Sequence, residues 1–226
     1  MEDFAAQIGG VSALAEPARR ALYLYVVSQE RAVSRDEAAA GLNLPHHTVK
    51  FHLDKLVQEG LLDTESRRLF GRRGPGAGRP TKLYRRSARE VAVSLPPRHY
   101  DLAGEILAAA LDDAARAGCP VRASVQRAAA TAGRRIGSAG EADGVGGTAL
   151  DAVTSALAAH GYEPRHDPEG VVLANCPFHA LARDHTELVC GMNLHLIGAL
   201  LDECGATSVR AVLDPQPGRC CVRLSE

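Results

Sequence analysis

Between Ser34 and Gly60 the chain is punctuated so tightly that two short helices about a sharp turn are nearly the only structure it permits. Ser34-Arg35-Asp36-Glu37 has the form of a capping box, in which Ser34 caps a helix and Glu37 reaches back from three residues on. That helix runs through Ala40, and Gly41-Leu42-Asn43-Leu44 makes a tight turn. Pro45 begins the next helix, whose inward stripe is Val49, Leu53, Leu56 and Val57, and Gly60 stands where a left-handed cap ends it. Upstream, Ala18, Leu22, Tyr25 and Val26 recur at helical spacing between Glu16 and Gln29, with Pro17 suited to the first turn. Downstream, Arg67 to Arg86 reads as a β-wing with one strand near Leu69 and another at Thr81 to Arg85. Its tip is Gly71-Arg72-Arg73-Gly74-Pro75-Gly76-Ala77-Gly78-Arg79-Pro80.

Charge gives this unit a direction. The 226 residues carry a net charge of -1, which by itself argues against a nucleic-acid partner. The charge is unevenly spread: residues 11–90 hold fifteen basic and nine acidic side chains, and residues 91–226 hold eleven basic and sixteen acidic. Within residues 67–89 there are nine basic side chains and no acidic one. A basic front half on an acidic back half points to a nucleic-acid contact with a second function attached. Two helices about a four-residue turn are the unit whose second helix enters a major groove. On that helix the outward positions read as His46, His47, Thr48, Lys50, His52 and Lys55, able to donate to phosphates or base edges. On the wing, Arg72, Arg73, Arg79 and Lys82 join them, and the glycines let the tip follow a minor groove. The partner this implies is a double-stranded DNA operator.

Residues 15–88, including Gly78-Arg79-Pro80 before the last wing strand, resemble the ArsR-type winged-helix domain of bacterial transcription regulators. A reader of that kind works as a dimer with two recognition helices one DNA turn apart, so a homodimer is expected. Two helical segments follow, Tyr100 to Arg116 and Val121 to Ile136, whose alanines suit close helix contacts within a bundle or between subunits. Gly137 to Gly147 reads as a flexible loop.

The acidic half carries the cysteines. Ala149 to His160 reads as a helix, Val171 to Ala174 as a strand entering Asn175-Cys176-Pro177-Phe178-His179, and Thr186 to Glu203 as a long helix. Val209 to Leu213 and Cys221 to Leu224 read as strands joined across Asp214-Pro215-Gln216-Pro217-Gly218. None of Cys119, Cys176, Cys190, Cys204, Cys220 and Cys221 forms a Cys-x-x-Cys pair, which removes the main support for zinc-ribbon and thioredoxin readings. On one continuous helix Cys190 and Cys204 stand fourteen steps apart, about 21 Å at about 1.5 Å per residue, too far to share a small cluster unless the helix breaks. The loop after a strand, the start of a helix and the end of a hairpin converge more easily. Cys176, Cys190 and one of Cys220 or Cys221 are therefore the expected metal-site set. Neighbours in a strand face opposite ways, and Cys220 is favoured as nearer the turn. Cys119 reads as a small buried hydrophobe.

Asn175-Cys176-Pro177-Phe178, the run His185 to Asn193, and Pro217-Gly218-Arg219-Cys220-Cys221 resemble SufR-type regulators. Those are ArsR-related winged-helix repressors whose C-terminal cysteines hold an iron–sulfur cluster. The resemblance implies a homodimer that represses cluster-assembly genes when the cluster (4Fe-4S or 2Fe-2S) is present and releases DNA when it is lost. A fourth ligand is left open among Cys204, Cys221, His179, His185, an exogenous thiol or none. Zinc is the alternative metal, a zinc- or thiol-based redox-responsive repressor the alternative mechanism, and a small-molecule-binding regulator ranks behind it. The expected fold is mainly α with small β elements. It comprises a winged helix-turn-helix over 11–90, a helical linker or dimerisation region over 98–140, and a C-terminal α+β cysteine-bearing sensor domain over 148–226. No Gly-rich phosphate loop, Ser/His/Asp set or paired-carboxylate constellation stands out, so an enzyme is not expected. No apolar run approaches the ~18 residues that cross a bilayer, and charges interrupt the first thirty residues, so no membrane partner and a cytoplasmic location are expected.

Overall fold

The computed structural model describes residues 2–67, 80–140 and 148–225, which form two compact units, residues 1–93 and 94–226. In the first unit the elements run α1 (Glu2–Ala13), α2 (Pro17–Val27), β1 (Val33–Ser34), α3 (Arg35–Leu42), α4 (His46–Gln58), β2 (Leu62–Arg67) and β3 (Thr81–Arg86). Helix α2 starts at Glu16, whose side chain accepts from the Ala18 and Arg19 N–H groups, with Pro17 inside the first turn. Helix α3 starts at the Ser34–Glu37 capping box, with both reciprocal bonds made. It runs two residues beyond Ala40 and stops at Asn43, whose left-handed backbone (φ 51°) turns the chain toward α4. Gly60 ends α4 at φ 71°, a conformation that favours glycine, and Leu61 N–H returns to the Leu56 carbonyl.

Leu22, Val26, Val49, Leu53 and Leu56 fill the core of this unit, and Tyr84 and Leu62 close it from the sheet. The wing ladder starts earlier than the hydrophobic pattern indicates. β2 pairs antiparallel with β3 from Leu62↔Arg86 to Arg67↔Thr81. Its polar run Asp63-Thr64-Glu65-Ser66 forms a strand through backbone pairing with β3, without an apolar alternation to announce it. β1 adds two residues on the other side of β3, giving the order β1-β3-β2. The strand expected near Leu69, and Arg72, Arg73 and Arg79 with it, lie outside the described residues.

The second unit contains α5 (Tyr100–Ala117), α6 (Val121–Gly140), α7 (Ala149–Ala159), β4 (Pro164–Asp167), β5 (Gly170–Leu173), α8 (His179–Asp184), α9 (Thr186–Glu203), β6 (Arg210–Leu213) and β7 (Val222–Ser225). Its sheet is antiparallel with the order β4-β5-β7-β6. Helix α9 is buried along much of its length, with Val189, Met192, Leu196, Ile197 and Leu200 all inside. The helices of 98–140, expected as a separate segment, belong to this core: Leu102, Ile106, Ala110, Val125, Ala129 and Ala132 are buried in it. Helix α6 also continues through Gly137 to Gly140, the start of the loop expected over Gly137 to Gly147, whose remaining residues 141–147 lie outside the described residues. The reason is packing. Gly133 and Gly137 both face α9, so glycines that look like loop residues are the ones that let two helices touch.

A Cβ at Gly133 would lie 2.1 Å from the Leu196 carbonyl oxygen, whereas one at Gly104 of α5 meets nothing within 4 Å. Gly133→Ala is expected to cost roughly 1–3 kcal/mol in chemical denaturation. Gly104→Ala is expected to be neutral or to stabilise by about 0.5–1 kcal/mol. Equal effects would contradict the packing argument.

The Arg31 guanidinium, bonded 2.6 Å from Glu37, and then the Ser34 backbone N–H hold the Glu37 carboxyl down at about 2. A depressed carboxyl contributes stability above its unfolded value of about 4.3 and loses it as pH falls toward the folded one. Thermal unfolding of the wild type is therefore expected to weaken between pH of about 4.3 and about 2. Glu37→Gln should flatten that limb, and added salt should shrink the difference because both side chains are partly exposed.

Candidate functional site

Helix α4 presents one apolar face inward and one polar face outward. Val49, Leu53 and Leu56 are fully buried, and His46, His47, Lys50 and Phe51 are exposed. Thr48 and Lys55 are half-buried, and Lys55 pairs with Glu59 at 2.6 Å one turn on. His46 Nδ1 stands 3.0 Å from Asp36 of α3.

His52 departs from the sequence reading, which placed it outward. It is 8% exposed, with Nε2 3.6 Å from the Glu16 carboxylate and Nδ1 3.5 Å from Arg19 Nε. It lies next to Leu53 on the inward side of the helix, so its ring ties α4 to the start of α2 and is unavailable to a groove. A polar side chain one step from a hydrophobic stripe cannot be assigned a side by type alone.

Lys82 on β3 donates to Asp54 of α4 at 2.8 Å and lies 5.0 Å from the centre of the Tyr84 ring. The Asp54 bond holds the Lys82 ammonium above its usual range, so it is charged at any ordinary pH. The pair also neutralises the one acidic residue of α4.

In the second unit four cysteines converge from three segments. Cys176 follows β5, Cys190 lies in the first turns of α9, and Cys220 and Cys221 precede β7. Cys190 and Cys221 are disulfide-bonded, with Cα atoms 6.3 Å apart. The Cys220 and Cys176 thiols act on one another, so the two lie side by side. The sequence reading favoured Cys220 of the adjacent pair and left Cys221 open as a further ligand. Both are engaged, because they lie in the irregular run before the strand, where Cys220 N–H bonds Leu173 O and Cys221 O accepts from Asp214 N–H. Among the described residues no group of three or more His, Cys, Asp and Glu is set out as a metal site, the four sulfurs standing as two pairs. Helix α9 is unbroken, so Cys204 at its end stays about 21 Å from Cys190. His179 and His185 are exposed at the two ends of α8. Cys119, read as buried, is partly exposed between α5 and α6.

A buried polar chain supports the sulfurs. Tyr162 Oη donates to Asn193 Oδ1 at 2.6 Å, and Asn193 Nδ2 donates to Cys220 Sγ at 3.1 Å. Asn193 lies one turn past Cys190 on α9, so a single helix face carries a cysteine and the amide that holds another. The Cys220 thiol, donating to Cys176, pulls the Cys176 thiol below its ordinary range, assisted by the Phe178 N–H and the Arg98 charge. The same bond and burial push the Cys220 thiol upward. Burial, with the two cysteines close by, pushes the Tyr162 phenol up as well. Nothing in residue type alone marks Tyr162 or Asn193, although Asn193 closes the run that starts at His185.

The segment entering α5 is tied to the same loop. Arg98 Nη1 donates to Asn175 Oδ1 at 2.5 Å and to Cys176 O at 2.9 Å. Asn175 Nδ2 donates back to Pro97 O at 3.0 Å, and His99 N–H bonds Pro177 O at 3.2 Å.

The family described as Helix-turn-helix domain matches residues 14–65, the stretch from the end of α1 through most of β2. No curated protein matches the chain. The match supports a DNA-binding transcription regulator. No helix among the described residues is long and apolar enough to cross a membrane.

Replacing Asn193 by Leu leaves the Tyr162 hydroxyl buried without its acceptor. The expected cost is about 1–3 kcal/mol, and the Tyr162→Phe, Asn193→Leu double variant should lose less than the two singles together. A double-mutant cycle in urea measures this, and strict additivity would show the two side chains to be uncoupled.

Proposed function

We propose that this protein is a homodimeric transcriptional repressor that reads operator DNA through the winged helix and senses iron–sulfur cluster status through Cys176, Cys190 and Cys220, with Cys221 beside them. The genes it controls on this reading are those of cluster assembly. The observation that carries it is the gathering of four cysteines from three distant segments in a chain with a DNA-reading domain.

The donor set fits such a group. Thiolates are soft ligands suited to iron–sulfur clusters and zinc, and Phe178, Leu173, Val222 and Met192 supply apolar surroundings. Cys190 and Cys221 ligate only after their disulfide takes up two electrons and two protons. When bound, an iron–sulfur cluster supplies sensitivity to oxidants, nitric oxide and iron supply through its ligands and solvent access. The chain's own residues pass the state of this site on. Arg98 bonds the Cys176 loop, and it lies five residues past the boundary of the DNA-reading unit. Ordering or loosening of the loop therefore acts on the segment that leads to that unit, which biases a population of DNA-competent forms.

The Cys190–Cys221 disulfide favours a second reading, a thiol-based redox repressor with the same DNA domain. Anaerobically purified protein decides between them. The cluster reading expects brown protein with iron and sulfide in comparable amounts, lost in Cys176→Ser and Cys220→Ser. It also expects gel shifts that differ between apo and holo forms. Colourless protein with stoichiometric zinc, or DNA binding that follows only dithiothreitol and peroxide, would sink it. In either case Lys50→Ala should weaken DNA binding and lower the salt slope by about one unit.

A further inference from the structure

Phe51 has no evident structural work within its own unit. Its side chain is 64% exposed, between exposed Lys50 and buried His52. Helical spacing explains where it points. Val49, Leu53 and Leu56 define the buried face, and His47, Phe51 and Gln58, four and seven residues apart, lie opposite it. The ring is therefore at the middle of the outward face, with its orientation braced by an edge contact to the His52 ring at 5.3 Å. His52 in turn is buried against Glu16 and Arg19, so the base of this contact is fixed.

The surroundings match DNA better than another apolar surface. His47 lies one turn before the ring on the same face, His46 and Lys50 are exposed elsewhere on the helix, and the only carboxylate of α4, Asp54, is occupied by Lys82. A large apolar side chain on a helix that also exposes His46, His47 and Lys50, the second helix of a helix-turn-helix, meets one apolar feature in a major groove. That feature is the C5-methyl group of thymine, the only methyl a base edge presents there.

We infer that Phe51 is a specificity-determining residue that selects thymine by packing its ring on the C5-methyl group. This rests on the DNA-reading function proposed above and adds what the donors of α4 cannot supply. Lys and His side chains distinguish acceptors from donors, whereas only an apolar contact separates thymine from a base with the same hydrogen-bonding edge but no methyl.

Uracil is that base. The preferred duplex is first selected from randomised DNA with the full chain, and each thymine is then replaced in turn by deoxyuridine. Wild-type protein is expected to lose about threefold to tenfold in affinity at one or two positions per half-site, the scale of one buried methyl group. Phe51→Ala should bind thymine and uracil duplexes alike at those positions, and Phe51→Leu should keep part of the preference. Lys50→Ala, by contrast, should weaken both duplexes together. The inference is overturned if wild type ignores every methyl deletion, or if Phe51→Ala keeps the wild-type ratio. It is also overturned if Phe51→Ala changes self-association with the ratio intact, which would assign the ring to a contact between copies. Failure of the wild type to retain any duplex would overturn the DNA-reading function itself, and the inference with it.

Discussion

The close approach of α6 to α9, possible only because Gly133 has no side chain, is the constraint on which the second unit depends. At that crossing the α6 backbone lies against the Leu196 carbonyl, with Gly137 one turn further on meeting Glu203 and Leu200. Helix α9 is thereby clamped between α6 and the sheet. Its first turns carry Cys190 and Asn193, and its middle carries the largest apolar residues of the core. A helix held this firmly is a fixed rail, against which a loop and a hairpin can be brought to register.

What is brought to that rail is chemically coherent. Cys176 comes from the loop after β5, and Cys220 and Cys221 from the run into β7. The two strands are themselves hydrogen-bonded neighbours. The sheet therefore delivers three sulfurs to one end of α9. Tyr162 and Asn193 provide a buried, satisfied polar chain whose last donor is aimed at Cys220. Around the hairpin, Arg223 pairs with Asp167 at 3.0 Å and Glu169 at 2.7 Å, and Arg219 pairs with Asp214. These pairs brace the hairpin that carries Cys220 and Cys221 from its polar side.

The first unit solves a different problem, fixing which face of α4 is left outward. The Ser34–Glu37 capping box fixes the start of α3, a left-handed Asn43 turns the chain into α4, and the stripe Val49, Leu53, Leu56 fixes the rotation of α4 about its axis. Rotation is what matters for reading. It hides His52 and exposes Phe51, the reverse of what side-chain polarity alone implies.

Much of this was legible in the sequence, for identifiable reasons. Capping, turn and stop signals are local, so α2, α3 and α4 follow from residues within a few positions of one another. The long helix from Thr186 to Glu203 follows from an apolar pattern of the same kind, and its continuity separates Cys204 from Cys190. The split of charge and the three cysteine-bearing segments also follow from sequence alone. Other features required contacts between distant residues. β2 exists because β3 pairs with it, and Gly137 is helical because α9 lies beside it. Cys221 joins Cys190 because the run before β7 is irregular and both neighbouring sulfurs turn inward. The sequence by itself determined which elements form and which chemistry they carry. Only the tertiary structure decided which side of each element that chemistry faces, because facing is set by packing partners that lie far away along the chain.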